Sequence, residues 1–135
     1  NWGQDAPYNL DCPEGCITGC VATAMAIIMK YHGWPQRGRG SNYNPYDPQR
    51  GNYSFDTEYD WKNALMDYSR YGENPDFYTK DQIEAVSKIM HDCTTSIESI
   101  FMTGGMTSAD DHDCAYALRI FFNYDGNIGH TYEVV

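Results

Sequence analysis

Among the residues of this chain, the cysteines do most to suggest chemistry. Five are present: Cys12, Cys16, Cys20, Cys93 and Cys114. An odd number leaves at least one thiol unpaired unless it bonds to another chain. Cys20 stands apart by its context. It follows Gly19 and opens the run Cys20-Val21-Ala22-Thr23-Ala24-Met25-Ala26, whose residues predict a helix. A cysteine in the first turn of a helix meets unpaired backbone N–H groups and the positive end of the helix dipole. Both stabilise a thiolate, the nucleophilic form of the side chain. Gly19 lets the backbone come close to a substrate carbonyl, and the Cys20 N–H is placed to donate to an oxyanion. The plain alternative is a core thiol, because free cysteine is among the most buried residue types.

A nucleophilic thiol needs an imidazole to take its proton and later return it to the leaving group. Four histidines are available. His32 ends the Cys20 helix, about 18 Å away at 1.5 Å per residue, where it suits the helix C-terminus. His91 falls within a second helical pattern, as a surface or core residue. His112 sits in an acidic first turn, where a solvated role is expected. His130 follows Gly129 close to residue 135 and is a weak candidate.

Two other chemistries compete. Cys12, Cys16 and Cys20 recur every four residues, and three cysteines with His32 would make up a structural zinc set. Pro13 and Gly15 interrupt that spacing, and His32 lies at the far end of a stiff helix. Seven tyrosines (Tyr43, Tyr46, Tyr53, Tyr59, Tyr68, Tyr71 and Tyr78) could instead form a non-catalytic binding surface. Filling the core beneath a long loop is the preferred reading of them. Asn123-Tyr124-Asp125-Gly126 has the look of a calcium loop, but Phe121 and Tyr132 stand where its acids are needed.

The elements that must position Cys20 are legible in outline. Residues 1–18 hold Pro7, Pro13, Gly3 and Gly15 and read as an irregular arm. The stretch from Cys20 to His32 is apolar nearly all round, which predicts a buried central helix, stopped by Gly33 and Pro35. Residues 36–59 read as a long surface excursion with a short strand at Asn52 to Phe55. Asp60 to Tyr68 reads as a short helix capped by Asp60. Thr79 with Gln82 is a capping-box pattern that begins a helix over Lys80 to Ser96. Ser108 with Asp110 and Asp111 marks a fourth helix start, and Tyr132 to Val135 reads as a strand.

With 135 residues the chain amounts to one domain. It carries a formal charge of -10 with only nine scattered basic residues. An acidic surface repels phosphate backbones, so no nucleic-acid partner is expected. No apolar run approaches the roughly 20 residues of a membrane helix, so no membrane partner is expected either. No charged and apolar leader opens the sequence, which makes Asn1 a processed end if the protein is exported.

The run Thr18-Gly19-Cys20-Val21-Ala22-Thr23-Ala24-Met25-Ala26-Ile27-Ile28-Met29-Lys30-Tyr31-His32-Gly33-Trp34-Pro35 resembles the nucleophile helix of the streptopain-type cysteine peptidases, a family that includes the interpains. Gln4 followed by Pro7-Tyr8-Asn9 is similar to the arm bearing that family's oxyanion-hole glutamine. Tyr59 to Leu65 and Val86 to Met90 are similar to its next two helices. Gly104 to Tyr124 is similar to its Gly/Ser-rich loop and the helix that follows. The resemblance covers essentially the whole chain, but only the first half of the family's catalytic domain.

That resemblance implies an α+β, papain-like fold. Residues 1–135 would be its mainly helical, nucleophile-bearing part, with about four helices. It implies a secreted bacterial cysteine endopeptidase acting on protein or peptide substrates, with no cofactor or metal, made as a zymogen with an N-terminal propeptide. It carries Cys20 over as nucleophile and Gln4 as oxyanion donor. A glutamine amide suits that role, since it offers N–H donors without a charge to desolvate. On its own, Gln4 reads as an ordinary exposed polar residue. The family's histidine lies in a Gly-His segment of the second half, ahead of an Asn-Trp-Gly-Trp-type motif. No tryptophan follows Trp61, so the histidine is expected from a C-terminal segment or a second chain, and residues 1–135 alone are expected to be inactive. Cys12 and Cys16 depart from the family's arm, and the spacing from Gln4 to Cys20 is shorter. A Cys12–Cys16 disulfide, a Cys93–Cys114 disulfide and buried free thiols all remain open.

Overall fold

Helix α1 (Cys20–His32) sets the frame. Its sequence favours helix through Ala22, Ala24, Met25 and Ala26. Gly33 ends it in the left-handed conformation at φ 57°, its N–H reaching back to the Lys30 and Met29 carbonyls. The computed structural model describes residues 2–110 and 112–124. Residue 130 and the strand expected at 132–135 lie outside the described residues, as does the side chain of His112.

Helix α2 (Lys80–Ser96) carries the expected capping box: Thr79 Oγ1 accepts from the Gln82 N–H at 3.1 Å, and Gln82 Oε1 from the Thr79 N–H at 3.0 Å. Helix α3 (His112–Ile120) starts later than the acidic signal suggested. Arg39 closes its far end, donating to the Arg119 and Ile120 carbonyls. Both α2 and α3 pack on α1. Met25, Met29, Val86, Ile89, Met90, Leu118, Phe55 and Phe122 are buried between them. Two small antiparallel ribbons complete the α+β pattern. Strand β1 (Ser41–Tyr43) pairs with β2 (Asn52–Ser54), Asn42 opposite Tyr53. Strand β3 (Ile100–Phe101) pairs with β4 (Thr107–Ser108), Phe101 opposite Thr107.

Three expectations need correction. There are three α-helices among the described residues, not four. The segment after Asp60 makes a single turn, with the Ala64 N–H on the Asp60 carbonyl at 3.1 Å. It does not propagate; the polar groups beyond it bond to a side chain of the same segment and, through that side chain and Trp61, to distant carbonyls. The Leu65 N–H donates to Tyr68 Oη, Tyr68 Oη donates to the Gln82 carbonyl, and Trp61 Nε1 donates to the Pro35 carbonyl. The stretch from 36 to 59 is no mere surface excursion: Asn44, Asp47, Phe55 and Tyr59 in it are buried. Helix α1 is buried on one face only. Cys20, Ala24, Ile27 and Tyr31 are exposed, at spacings of four, three and four that make them one stripe.

Candidate active site

Cys20 is the first residue of α1, as its sequence context predicts, and its side chain is exposed. The residue before it, Gly19, adopts φ 88° and ψ 150°, a region open in practice only to glycine. Gly19 has no side chain to cap the helix, so among the described residues no N-cap side chain occupies the first-turn N–H groups. They remain directed at whatever approaches the thiol.

Three segments hold this turn. The first is the N-terminal arm. Trp2 Nε1 donates to the Leu65 carbonyl at 2.8 Å, and the Gln4 carbonyl accepts from the Thr18 N–H at 3.1 Å. The arm bearing Gln4 is thereby tied two residues upstream of Cys20. Gln4 is half-buried and lines a cleft of about 650 Å³ together with Tyr8, Thr23, Asp67 and Tyr68. The second is α1 itself, where Thr23 Oγ1 donates to the Gly19 carbonyl at 2.8 Å and lies 2.6 Å from Thr18 Oγ1. The third is the β3–β4 ribbon. Gly105 accepts from the Ile17 N–H at 3.0 Å, and Thr107 Oγ1 donates to the Ile17 carbonyl at 2.6 Å. A Cβ on Gly19 would stand 3.1 Å from Thr107 Cγ2, so a side chain there would press on the ribbon.

The other thiols are set differently. Cys12, Cys16 and Cys93 are buried. Burial, then the charge of Asp11, pushes the Cys12 thiol up to about 12. Burial and then Glu14 raise that of Cys16, and burial raises that of Cys93 well above its ordinary value. Neither the Cys12–Cys16 nor the Cys93–Cys114 disulfide is formed. Cys16 Sγ instead donates to the Met102 carbonyl, and Cys93 Sγ to the Met29 sulfur. Among the described residues no three His, Cys, Asp or Glu side chains gather to hold a metal ion, so the Cys12, Cys16, Cys20 and His32 set is not assembled.

His32 and His91 sit as their positions suggested. His32 is exposed at the end of α1, its ring against Tyr31 and Tyr124. His91 is a core residue, 1% exposed, with Nε2 3.0 Å from Asp47 Oδ2. Most of the tyrosines fill the core, as preferred: Tyr59, Tyr68 and Tyr78 are buried, and Tyr53 and Tyr71 pack against them. Tyr43 and Tyr46 remain exposed.

Sequence reasoning missed Thr18, Thr23 and Thr107. Hydropathy does not mark them. A signal exists in hindsight: threonines one residue before and four after Gly19 are placed to bond the backbone of the turn between them.

With this geometry in hand, comparison with known proteins places the chain. Residues 2–134 match the peptidase C10 family. The thiol protease/hemagglutinin PrtT of Porphyromonas gingivalis is 31% identical over 142 residues, covering 98% of this chain and 15% of that protein. Streptopain of Streptococcus pyogenes is 30% identical over 151 residues, covering 95% of this chain and 36% of streptopain. The chain thus spans about a third of streptopain's length and less of PrtT's. The solved structure of active wild-type interpain A, a cysteine protease of Prevotella intermedia, superposes with a TM-score of 0.75 at 30% identity, covering 96% of this chain and 59% of that one. A prointerpain A fragment superposes at 0.73 with 34% identity, covering 90% and 40%. On the strength of the family match over nearly its full length, this chain belongs to the peptidase C10 family.

Proposed function

We propose that the complete protein bearing this chain is a secreted bacterial cysteine endopeptidase, and that residues 1–135 are the nucleophile-bearing part of its papain-like catalytic domain. The observation that carries the reading is Cys20, an exposed thiol at the first position of a helix whose N-terminal amides lack a side-chain cap. The Cys20 thiolate attacks the scissile carbonyl carbon, and a C–S bond forms as the carbonyl π electrons move to oxygen. The Cys20 N–H and the Gln4 side-chain amide donate to that oxyanion. The C–N bond then breaks, and the leaving amine takes the proton that an imidazole removed from the thiol. Water hydrolyses the thioester and regenerates the thiol.

The histidine of this scheme comes from a segment outside residues 1–135, C-terminal or on a second chain. The exposed stripe of α1 supports this. Ala24, Ile27 and Tyr31 continue the line of Cys20 along the helix, and Ile27 and Tyr31 are 44% and 85% exposed. An apolar face headed by the thiol suits burial against a further layer of the same enzyme. The prointerpain relative supports synthesis with an N-terminal propeptide. Substrates are proteins or peptides. The test is casein hydrolysis by the complete protein and by residues 1–135. The complete protein should cleave and its Cys20→Ala variant should not, while residues 1–135 alone stay inactive. An active Cys20→Ala protein would refute the nucleophile, and robust cleavage by residues 1–135 would refute the external histidine.

A further inference from the structure

The backbone just before Cys20 is held by threonine hydroxyls. Thr23 Oγ1 donates to the Gly19 carbonyl at 2.8 Å, beside the helical bond from the Thr23 N–H at 3.1 Å. A hydroxyl has one hydrogen to give. With Thr23's hydrogen committed to Gly19, the 2.6 Å contact between Thr18 Oγ1 and Thr23 Oγ1 has one polarity, Thr18 donating. The Thr18 N–H donates in turn to the Gln4 carbonyl at 3.1 Å. A relay therefore runs from the Gln4 backbone through Thr18 and Thr23 to Gly19. Both threonines are buried, at 0% and 7% exposure, so water does not compete for these bonds.

The relay ends on the peptide that matters. The Gly19 carbonyl and the Cys20 N–H belong to one planar trans peptide, so they point in opposite directions. Two hydrogen bonds draw the carbonyl along α1 and into the first turn. The Cys20 N–H must then point away from the helix, out of its N-terminus. Thr107, against Gly19 and bonded to Ile17, closes the other side of the turn.

We propose that Thr18 and Thr23 are positioning residues whose hydroxyls fix one oxyanion donor, the Cys20 N–H, beside the arm that bears Gln4. This rests on the peptidase reading of Cys20 and Gln4. Donors help only when they sit about 2.7–3.1 Å from the developing oxyanion, so a small rotation of the 19–20 peptide is enough to waste one. Their assigned role is to hold the backbone, acting through the 19–20 peptide.

The test compares Thr23→Val with Thr23→Ser in the complete enzyme. Valine keeps the shape and removes the hydroxyl, whereas serine keeps the hydroxyl. Thr23→Val should lower kcat by about tenfold or more with KM nearly unchanged, the mark of an interaction made in the transition state. Thr23→Ser should restore most of it. A peptide aldehyde, whose adduct with Cys20 carries an oxyanion, should lose affinity in step with kcat. Alkylation of Cys20 by iodoacetamide develops no oxyanion, and its rate should hold. If Thr23→Val does not fold, Thr18→Val and Thr18→Ser carry the same comparison. The relay is overturned by an unchanged kcat in the valine variant, by serine failing like valine, or by alkylation slowing as much as turnover. An active Cys20→Ala enzyme overturns the peptidase reading and the relay with it; an inactive one confines any of those results to the relay alone.

Discussion

A thiol reacts as its thiolate, and only where a reagent can reach it. Cys20 is exposed, whereas Cys12, Cys16 and Cys93 are buried and their thiols raised by that burial. Iodoacetamide at pH 8 should therefore label Cys20 first, mapped by mass spectrometry. With Cys12 at about 12 against an ordinary 9.0, its thiolate fraction is lower by roughly a thousandfold from titration alone. Equal labelling of Cys12 and Cys20 would contradict the arrangement. Gly19 makes a second prediction at this scale. Its φ of 88° and the 3.1 Å approach of Thr107 leave no room for a Cβ without strain. Gly19→Ala should cost about 1–3 kcal/mol, read as a lower midpoint in urea.

Among the elements, α2 was legible to the residue, because Thr79, Gln82 and the spacing of Val86, Ile89 and Met90 all speak locally. Removing that signal should be measurable. Thr79→Ala should destabilise the protein by about 1 kcal/mol, while Thr79→Ser stays near the parent; identical melting curves for all three would mean that packing alone holds the helix. The start of α1 and its glycine stop were legible for the same reason. The segment after Asp60 was misread because its apolar spacing mimics a helix, whereas the Leu65 amide bonds to Tyr68 Oη and the polar atoms of Tyr68 and Trp61 bond to distant carbonyls. Strand β1 was missed because three residues without apolar alternation carry no periodic signal, and its partner fixes it. Of the candidate site, Cys20 was singled out by its place at a helix start and Gln4 only by the family resemblance. The threonine relay depends on where hydroxyls point, which hydropathy and spacing do not encode.

For the molecule as a whole, Asp92 ties the β1–β2 ribbon to α2. It is fully buried, and it accepts from Tyr53 Oη at 2.7 Å and Tyr59 Oη at 2.5 Å, with Lys88 Nζ 3.3 Å away. Burial raises its carboxyl despite the opposing pull of Lys88 and the two tyrosines. A carboxyl raised in the folded state keeps its proton where the unfolded chain has lost its own. Its contribution is thus most favourable below the ordinary value of 3.8 and declines as pH rises through the folded value. Asn imitates the neutral form, so the Tm of Asp92→Asn relative to the parent should improve from pH 4 to pH 8. A difference that stays flat would mean the tyrosines fully compensate the buried charge. The β3–β4 ribbon raises a separate question, one of timing. It reaches the residues before Cys20 across 90 positions of sequence, and contacts so far apart form late in folding. On a ribosome, the thiol emerges well before the ribbon that clasps its turn. A chain stalled before Gly105 carries the Cys20 thiol without that clasp, so the order of synthesis itself leaves the turn before Cys20 unfinished until most of this segment has been made.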